Sequence, residues 1–287
     1  MTAIYKRELG AFFKGPIGWA ATAITVFILG VFAAAMHFAG GNAGFEYTLY
    51  NACFLYLILV PVLTMRSLAE EKKQKTDALL YSLPLSSTKI VLGKYLATLT
   101  VLALPLVLIS PLPLILCLYG TPNLSLAYTA LLGFFLLGAA LTALGLLVSA
   151  LTENQIVCAL ISFLVLLAAY FMQSLAHLVP ESSGAGLAVF LLLTLAAAGV
   201  LYLLTKRLAL PLILFGLGAA AEVLVFFLAP QLLEKGLVAV VGSLAAFDRF
   251  YPFISGILDL TALGYYLSVC GVFLTFTVLA VEKRRWC

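Results

Sequence analysis

The chain has 287 residues, of which 64% are apolar, with a mean hydropathy of +1.17. Soluble domains use about 45–50% apolar residues, so a water-solvated outer surface is excluded and a bilayer is the expected solvent. The net charge of +4 says little by itself, its distribution says more, and no nucleic-acid partner is expected.

The first stretch, "MTAIYKRELGAFFKGP", places Ile4, Tyr5, Leu9, Phe12 and Phe13 at helical spacing, with Lys6, Arg7, Glu8 and Lys14 between them. That pattern predicts a helix over 1–16 lying in the membrane interface and stopped by Gly15-Pro16. Eight apolar segments follow, each long enough to span, near 17–38, 48–66, 91–119, 126–150, 155–178, 187–204, 208–228 and 262–281. The first is too long for a signal peptide core and is read as a retained span.

Pro105, Pro111 and Pro113 predict kinks in the outer half of the third span. In the fourth, Gly138, Thr142, Gly145 and Ser149 line one face with small groups, as close packing within a bundle or across a dimer requires. Glu222 lies in the apolar run "GLGAAAEVLVFF". An acid there is costly, so it either lines a polar path or is a hydrogen-bonded packing residue.

Lys and Arg placement sets the orientation. With the N-terminus cytoplasmic, 14 of the 16 basic residues fall inside, and only Lys235 and Arg249 lie outside. The expected fold is therefore an all-α polytopic integral membrane protein. It has about eight transmembrane helices plus the N-terminal interfacial amphipathic helix, and both termini are cytoplasmic. The outer loop 229–261 contains "FDRFYPFISGILDL", which suits an amphipathic helix on the outer leaflet or a lid over the bundle.

Several chemistries have no residues to carry them. No G-x-x-x-x-G-K-[ST] phosphate loop and no H-E-x-x-H occur. His37 and His177 sit near the outer ends of different spans, and no catalytic or metal centre is expected. Cys53, Cys117, Cys158, Cys270 and Cys287 show no ligand or redox spacing. A lone Glu222 is thin support for a proton-coupled transporter, which uses several intramembrane polar groups. The energy source is expected outside the chain.

Polar chemistry is concentrated elsewhere. Nine charged residues fall from Arg66 to Lys94, seven of them in the cytoplasmic loop 67–90. "SLAEEKKQKTDALLYSL" predicts a helix extending into the cytosol, supported by Glu70 and Glu71 preceding Lys73 and Lys75 at helical spacing. A short amphipathic piece with Leu79, Leu80 and Leu83 then bends back, ended by Pro84. A solvated positive-inside loop is one reading. The other is a docking element, because a leucine edge beside mixed charge is what a short helix needs to seat in a partner's groove.

The stretch "PVLTMRSLAEEKKQKTDALLYSLPLSSTKIVLGKYLA", Pro61 to Ala97, closely resembles the region between the second and third spans of ABC-2 type permeases, particularly the gliding-motility-type branch. "KRELGAFFKGPIGW" (Lys6–Trp19) and "GILDLTALGYYLSVCGVFLTFTVLAVEKRRW" (Gly256–Trp286) are similar to the same branch. Two departures stand out. The family commonly has Gly-Thr where this chain has Lys75-Thr76-Asp77, and it usually has six spans. The extra pair near 187–228 holds Glu222, to which no family role transfers.

The resemblance implies the membrane subunit of an exporter in a bacterial cell (inner, cytoplasmic) membrane. An ATP-binding-cassette ATPase subunit would hold the ATP and Mg, and a second permease subunit would complete a homo- or heterodimer. By that analogy Leu79, Leu80 and Leu83 anchor the loop in the ATPase, while Glu70, Glu71, Lys72, Lys73, Thr76 and Asp77 set its register. The helix carrying Tyr5, Lys6, Arg7, Glu8, Phe12 and Phe13 would be the elbow that passes motion to the first span. An extracytoplasmic auxiliary protein is a further candidate partner. The competing readings are an ion- or proton-coupled secondary transporter and a non-transporting envelope-complex subunit driven by a cassette ATPase.

Overall fold

The computed structural model describes residues 1–40, 44–75, 86–118, 120–178, 183–205, 209–228, 242, 245–256 and 259–286. These residues are helical almost throughout, and no strand occurs among them. Seven helices among them are long and apolar enough to cross a membrane: 16–37, 45–73, 87–116, 124–151, 155–172, 211–228 and 260–284. The segment expected near 187–204 is also helical, from Ser183 to Thr205. The chain is an all-helical polytopic membrane protein, in two compact units: residues 1–168 with 246–287, and residues 169–245.

The first unit opens with α1 (Thr2–Lys14) and α2 (Pro16–Ala33). Gly15 between them is extended and Pro16 sits at the first helical position of α2, where its missing N–H costs nothing. Trp19 stitches this corner: its Nε1 donates to the Phe13 carbonyl at 2.9 Å, satisfying one of the open carbonyls at the end of α1. Beyond α2 the helix widens into a π-turn, Ala34–Ala39.

The second span is jointed. It runs as α3 (Phe45–Asn51), a tight turn Cys53–Leu55, α4 (Tyr56–Thr64) and, after a turn, α5 (Ala69–Lys73). The long cytosolic helix expected from Arg66 toward Pro84 is not formed in the described part, which breaks at 65–68 and again at Lys75. Lys75 takes φ 56°, the left-handed conformation that favours glycine. It occupies the place where the resembling family commonly carries that glycine. Lys75→Gly is expected to stabilise the protein by about 1 kcal/mol, read as a higher melting temperature in detergent; a lower one would show that the lysine side chain contributes more than its strain.

The third span is α6 (Ser87–Ile109), which carries Pro105, and after a break at Ser110-Pro111 continues as α7 (Leu112–Leu116). The fourth, α8 (Leu124–Leu151), is the spine of the unit: α3, α4, α6 and the last helix all pack on it. Small groups allow that. A Cβ on Gly138 would lie 2.7 Å from the Tyr56 hydroxyl, and one on Gly145 would lie 2.6 Å from Thr64 Oγ1. Thr142 is fully buried between them. The small-residue face thus receives α4 of the same chain.

α9 (Gln155–Leu178) follows in the chain. After the second unit the chain returns with a tight turn Asp248–Phe250, a single helical turn α12 (Tyr251–Ile254) and the last helix α13 (Leu260–Trp286). The described part of the outer loop is therefore not one continuous amphipathic helix. Phe250 and Phe253 are fully buried against α8, with the Phe134 and Phe250 rings 6.0 Å apart. Tyr266 of α13 donates to the Ala246 carbonyl at 2.9 Å and holds the return in place.

The second unit consists chiefly of α10 (Ser183–Thr205) and α11 (Ala209–Leu228), packed on each other. Gly218 lets them approach, since a Cβ there would sit 3.3 Å from Thr194. Glu222 is half-buried, and its Oε2 is enclosed without a hydrogen-bond partner.

Candidate functional site

At one end of the first unit, charges from three helices meet. Lys94 lies two turns inside α6 with its side chain 1% exposed. Its ammonium donates to Glu8 of α1 at 3.1 Å, to Glu71 of α5 at 3.0 Å and to the Ser67 carbonyl at 2.6 Å. Arg7 closes the circuit from the outside, 2.6 Å from both Glu8 and Glu71. Two acids and two bases form a ring in which every member has a partner of opposite sign. A buried lysine is tolerated in apolar surroundings only under that condition.

The helix that carries Glu71 is held from a distance. α5 has no side-chain cap of its own. Ser149, at the end of α8, provides one: its Oγ accepts from the backbone N–H of Leu68 at 3.1 Å and of Ala69 at 3.0 Å. Lys72 is buried, and its ammonium donates to the Ala150 carbonyl. Leu68, Val91, Ala150 and Val281 form a small apolar core beside these bonds. Arg284, near the end of α13, reaches Glu153 at 2.7 Å, so the ends of α8 and α13 lie together.

Beside the ring an open cleft of about 380 Å³ is lined by Arg7, Glu8, Ala11, Phe12, Arg66, Glu70, Glu71 and Gln74. Arg66 and Glu70 pair along its edge at 2.7 Å. Toward the start of α1, Tyr5 and Thr100 share a hydrogen bond of 3.0 Å, and Ile4 seats on Gly93. Ile4, Tyr5 and Glu8 thus hold α1 to α6.

Burial pushes the Glu8 carboxyl up, but Lys94 and Arg7 outweigh it and hold it below the ordinary value of 4.5. A carboxyl depressed in the folded state contributes stability that is complete above its unfolded value and is lost as pH falls through the folded one. Glu8→Gln is therefore expected to melt below the parent at neutral pH. The gap should close as pH drops below 4.5; a gap independent of pH would mean that charge at Glu8 is irrelevant.

Of the residues singled out in the sequence, Arg7, Glu8, Glu70, Glu71, Lys72 and Ser149 come together here, with Phe12 buried behind them. Lys6 and Lys73 face outward. Thr76, Asp77, Leu79, Leu80 and Leu83 lie outside the described residues. Sequence reasoning missed Lys94 as a site residue. A signal existed: a lysine in "IVLGKYLATL", among apolar residues at the start of the third span, demands a counter-charge.

The described helices form a multi-pass membrane bundle in which α1 and α5 are ionically joined to α6 at one end. Residues 18–205 match the family of ABC-2 family transporter proteins, and the chain belongs to that family. The family's membrane domain is a permease and not itself an ATPase, and it implies association with an ATP-binding-cassette subunit. No curated protein matches the chain.

Proposed function

We propose that the chain is the membrane subunit of an ABC-2 exporter of the gliding-motility type. A separate cassette ATPase, holding ATP and Mg, drives it from the end that carries the ion ring. That end is cytoplasmic, with both termini on it, and the bilayer is a bacterial cell membrane. A second permease subunit completes the transport path. The observation that carries the reading is the ring of Arg7, Glu8, Glu71 and Lys94. It ties the elbow helix and α5 to α6, so a push on the segment that follows α5 reaches the first three spans together.

In this scheme Leu79, Leu80 and Leu83 seat in the ATPase, and Glu70, Lys73, Thr76 and Asp77 orient the contact. Glu71 and Lys72 serve on the near side, where they join the segment to the bundle. The charge bias supports the topology, since 14 of 16 basic residues fall on the proposed cytoplasmic side.

The test is co-purification with a cassette ATPase and transport in proteoliposomes. Leu79→Asp combined with Leu83→Asp is expected to leave the protein inserted while ATPase binding and stimulation are lost. Normal stimulation by the double variant counts against the docking role. Transport driven by an ion gradient without ATP or partner would overturn the exporter reading altogether.

A further inference from the structure

Where α1 packs on α6, a groove of about 470 Å³ lies open at the surface of the first unit. Leu96, Leu99 and Ala103 of α6, Phe135 of α8, and Thr2 and Tyr5 of α1 line it. The three α6 residues share one face of that helix and fall within the third span. The volume is close to that of a single long fatty-acyl chain.

The polar groups in the wall satisfy one another. The Thr100 hydroxyl donates to the Leu96 carbonyl at 2.8 Å, and the Tyr5 hydroxyl donates to Thr100 Oγ1 at 3.0 Å. A hydroxyl has one proton to give. Apart from exposed Thr2, the lining therefore has no donor to offer a ligand, and it suits hydrocarbon.

The surroundings decide between a lipid and another helix. Faces that receive a helix within a membrane are built of small groups, as Gly138 and Gly145 are where α4 packs on α8. Around the groove the exposed side chains are large instead: Val107 and Leu108 on α6, and Leu132 one turn from Phe135 on α8. Positive charge stands near one end. Lys89 precedes Leu96 by two turns on the same face of α6, and Lys6 follows Thr2 by one turn on α1. Both are exposed, and neither is in an ion pair among the described residues.

We propose that this groove binds one acyl chain of an anionic phospholipid, with the headgroup phosphate drawn to Lys6 and Lys89. The chain fills the space that side chains leave open between α1 and α6, and so wedges α1 in its seat. The site is independent of the exporter reading; only its assignment to the cytoplasmic leaflet rests on the topology proposed above.

The test is native mass spectrometry of the full chain released from detergent micelles after titration with phosphatidylglycerol, phosphatidylcholine or glycerol 3-phosphate. The parent is expected to retain one phosphatidylglycerol, to prefer it to phosphatidylcholine, and to ignore glycerol 3-phosphate, which carries the anion without the chain. Ala103→Trp, which fills the groove, should abolish retention while circular dichroism shows its helices intact. Lys6→Gln combined with Lys89→Gln should still take a phospholipid but lose the preference, by about fivefold for each lysine. An undiminished preference in that variant overturns the headgroup assignment. A parent that retains no phospholipid, or takes glycerol 3-phosphate as readily, overturns the site without needing a variant. Retention by Ala103→Trp equal to that of the parent overturns it as well. A lipid-free dimer that Ala103→Trp splits would give the groove to a second copy of the chain and overturn the proposal. None of these readouts involves an ATPase.

Discussion

Lys94→Met is expected to lose about 3–5 kcal/mol of stability, the cost of removing one member of a buried ion set and leaving the other uncompensated. Lys94 is the only one of the four ring members that is almost fully enclosed, at 1% exposure. Its loss leaves Glu8 and Glu71 facing each other with Arg7 alone between them, and Arg7 is 52% exposed. It also orphans the Ser67 carbonyl, which accepts from Lys94 at 2.6 Å. Arg7→Met makes the contrast, because an exposed member of an ion pair contributes about 0–1 kcal/mol.

Equilibrium unfolding in mixed micelles would read both values. Lys94→Met combined with Glu8→Gln should recover part of the loss, since one stranded charge is removed with its partner. A Lys94→Met protein as stable as the Arg7→Met one would show that the ring is incidental. Under the proposed function the variant should also bind the ATPase yet respond to it weakly, because the elbow and α5 no longer move as one body.

The second large effect lies in the middle of the bundle. Gly138→Val forces a side chain into the space of Tyr56, whose hydroxyl would lie 2.7 Å from the first added carbon. Tyr56 cannot swing away at low cost. It is 2% exposed, its hydroxyl donates to the Phe134 carbonyl at 2.9 Å, and its ring lies 4.5 Å from that of Phe134. Overpacking costs about 1–3 kcal/mol, and an orphaned buried hydroxyl adds about 1–3 kcal/mol. A combined loss of about 2–6 kcal/mol is therefore expected.

Because α8 is the spine, the damage should spread to α4 and to the buried return at Phe250. Tyr56→Ala in the same chain should restore part of the stability by vacating the site. A Gly138→Val protein that unfolds like the parent would mean that α4 and α8 are not in the contact described.

How much of this was visible without coordinates differs from element to element. The N-terminal helix α1 was legible down to its end, because Gly15-Pro16 stops a helix by backbone chemistry alone. The small face of α8 was legible as a face, since helical periodicity places Gly138, Thr142, Gly145 and Ser149 in line. What it receives was not, because periodicity describes one helix and contact needs two. The segment after the second span read as a continuous helix from its propensities. Those preferences are weak, at most about 0.7 kcal/mol per ordinary residue, and the cap offered by Ser149 from another helix is enough to redirect them.

The amino-acid sequence by itself determined the membrane class, the positions of seven of the eight expected spans and the concentration of charge between the second and third of them. Apolar length and charge bias act locally along the chain, so they can be read one segment at a time. Only the tertiary structure decided that Lys94 answers Glu8 and Glu71, that Ser149 caps α5, and that His37 meets Thr48 across a π-turn. Each joins residues from separate elements, and the free energy that selects such a partner comes from burial that exists only once the helices have packed.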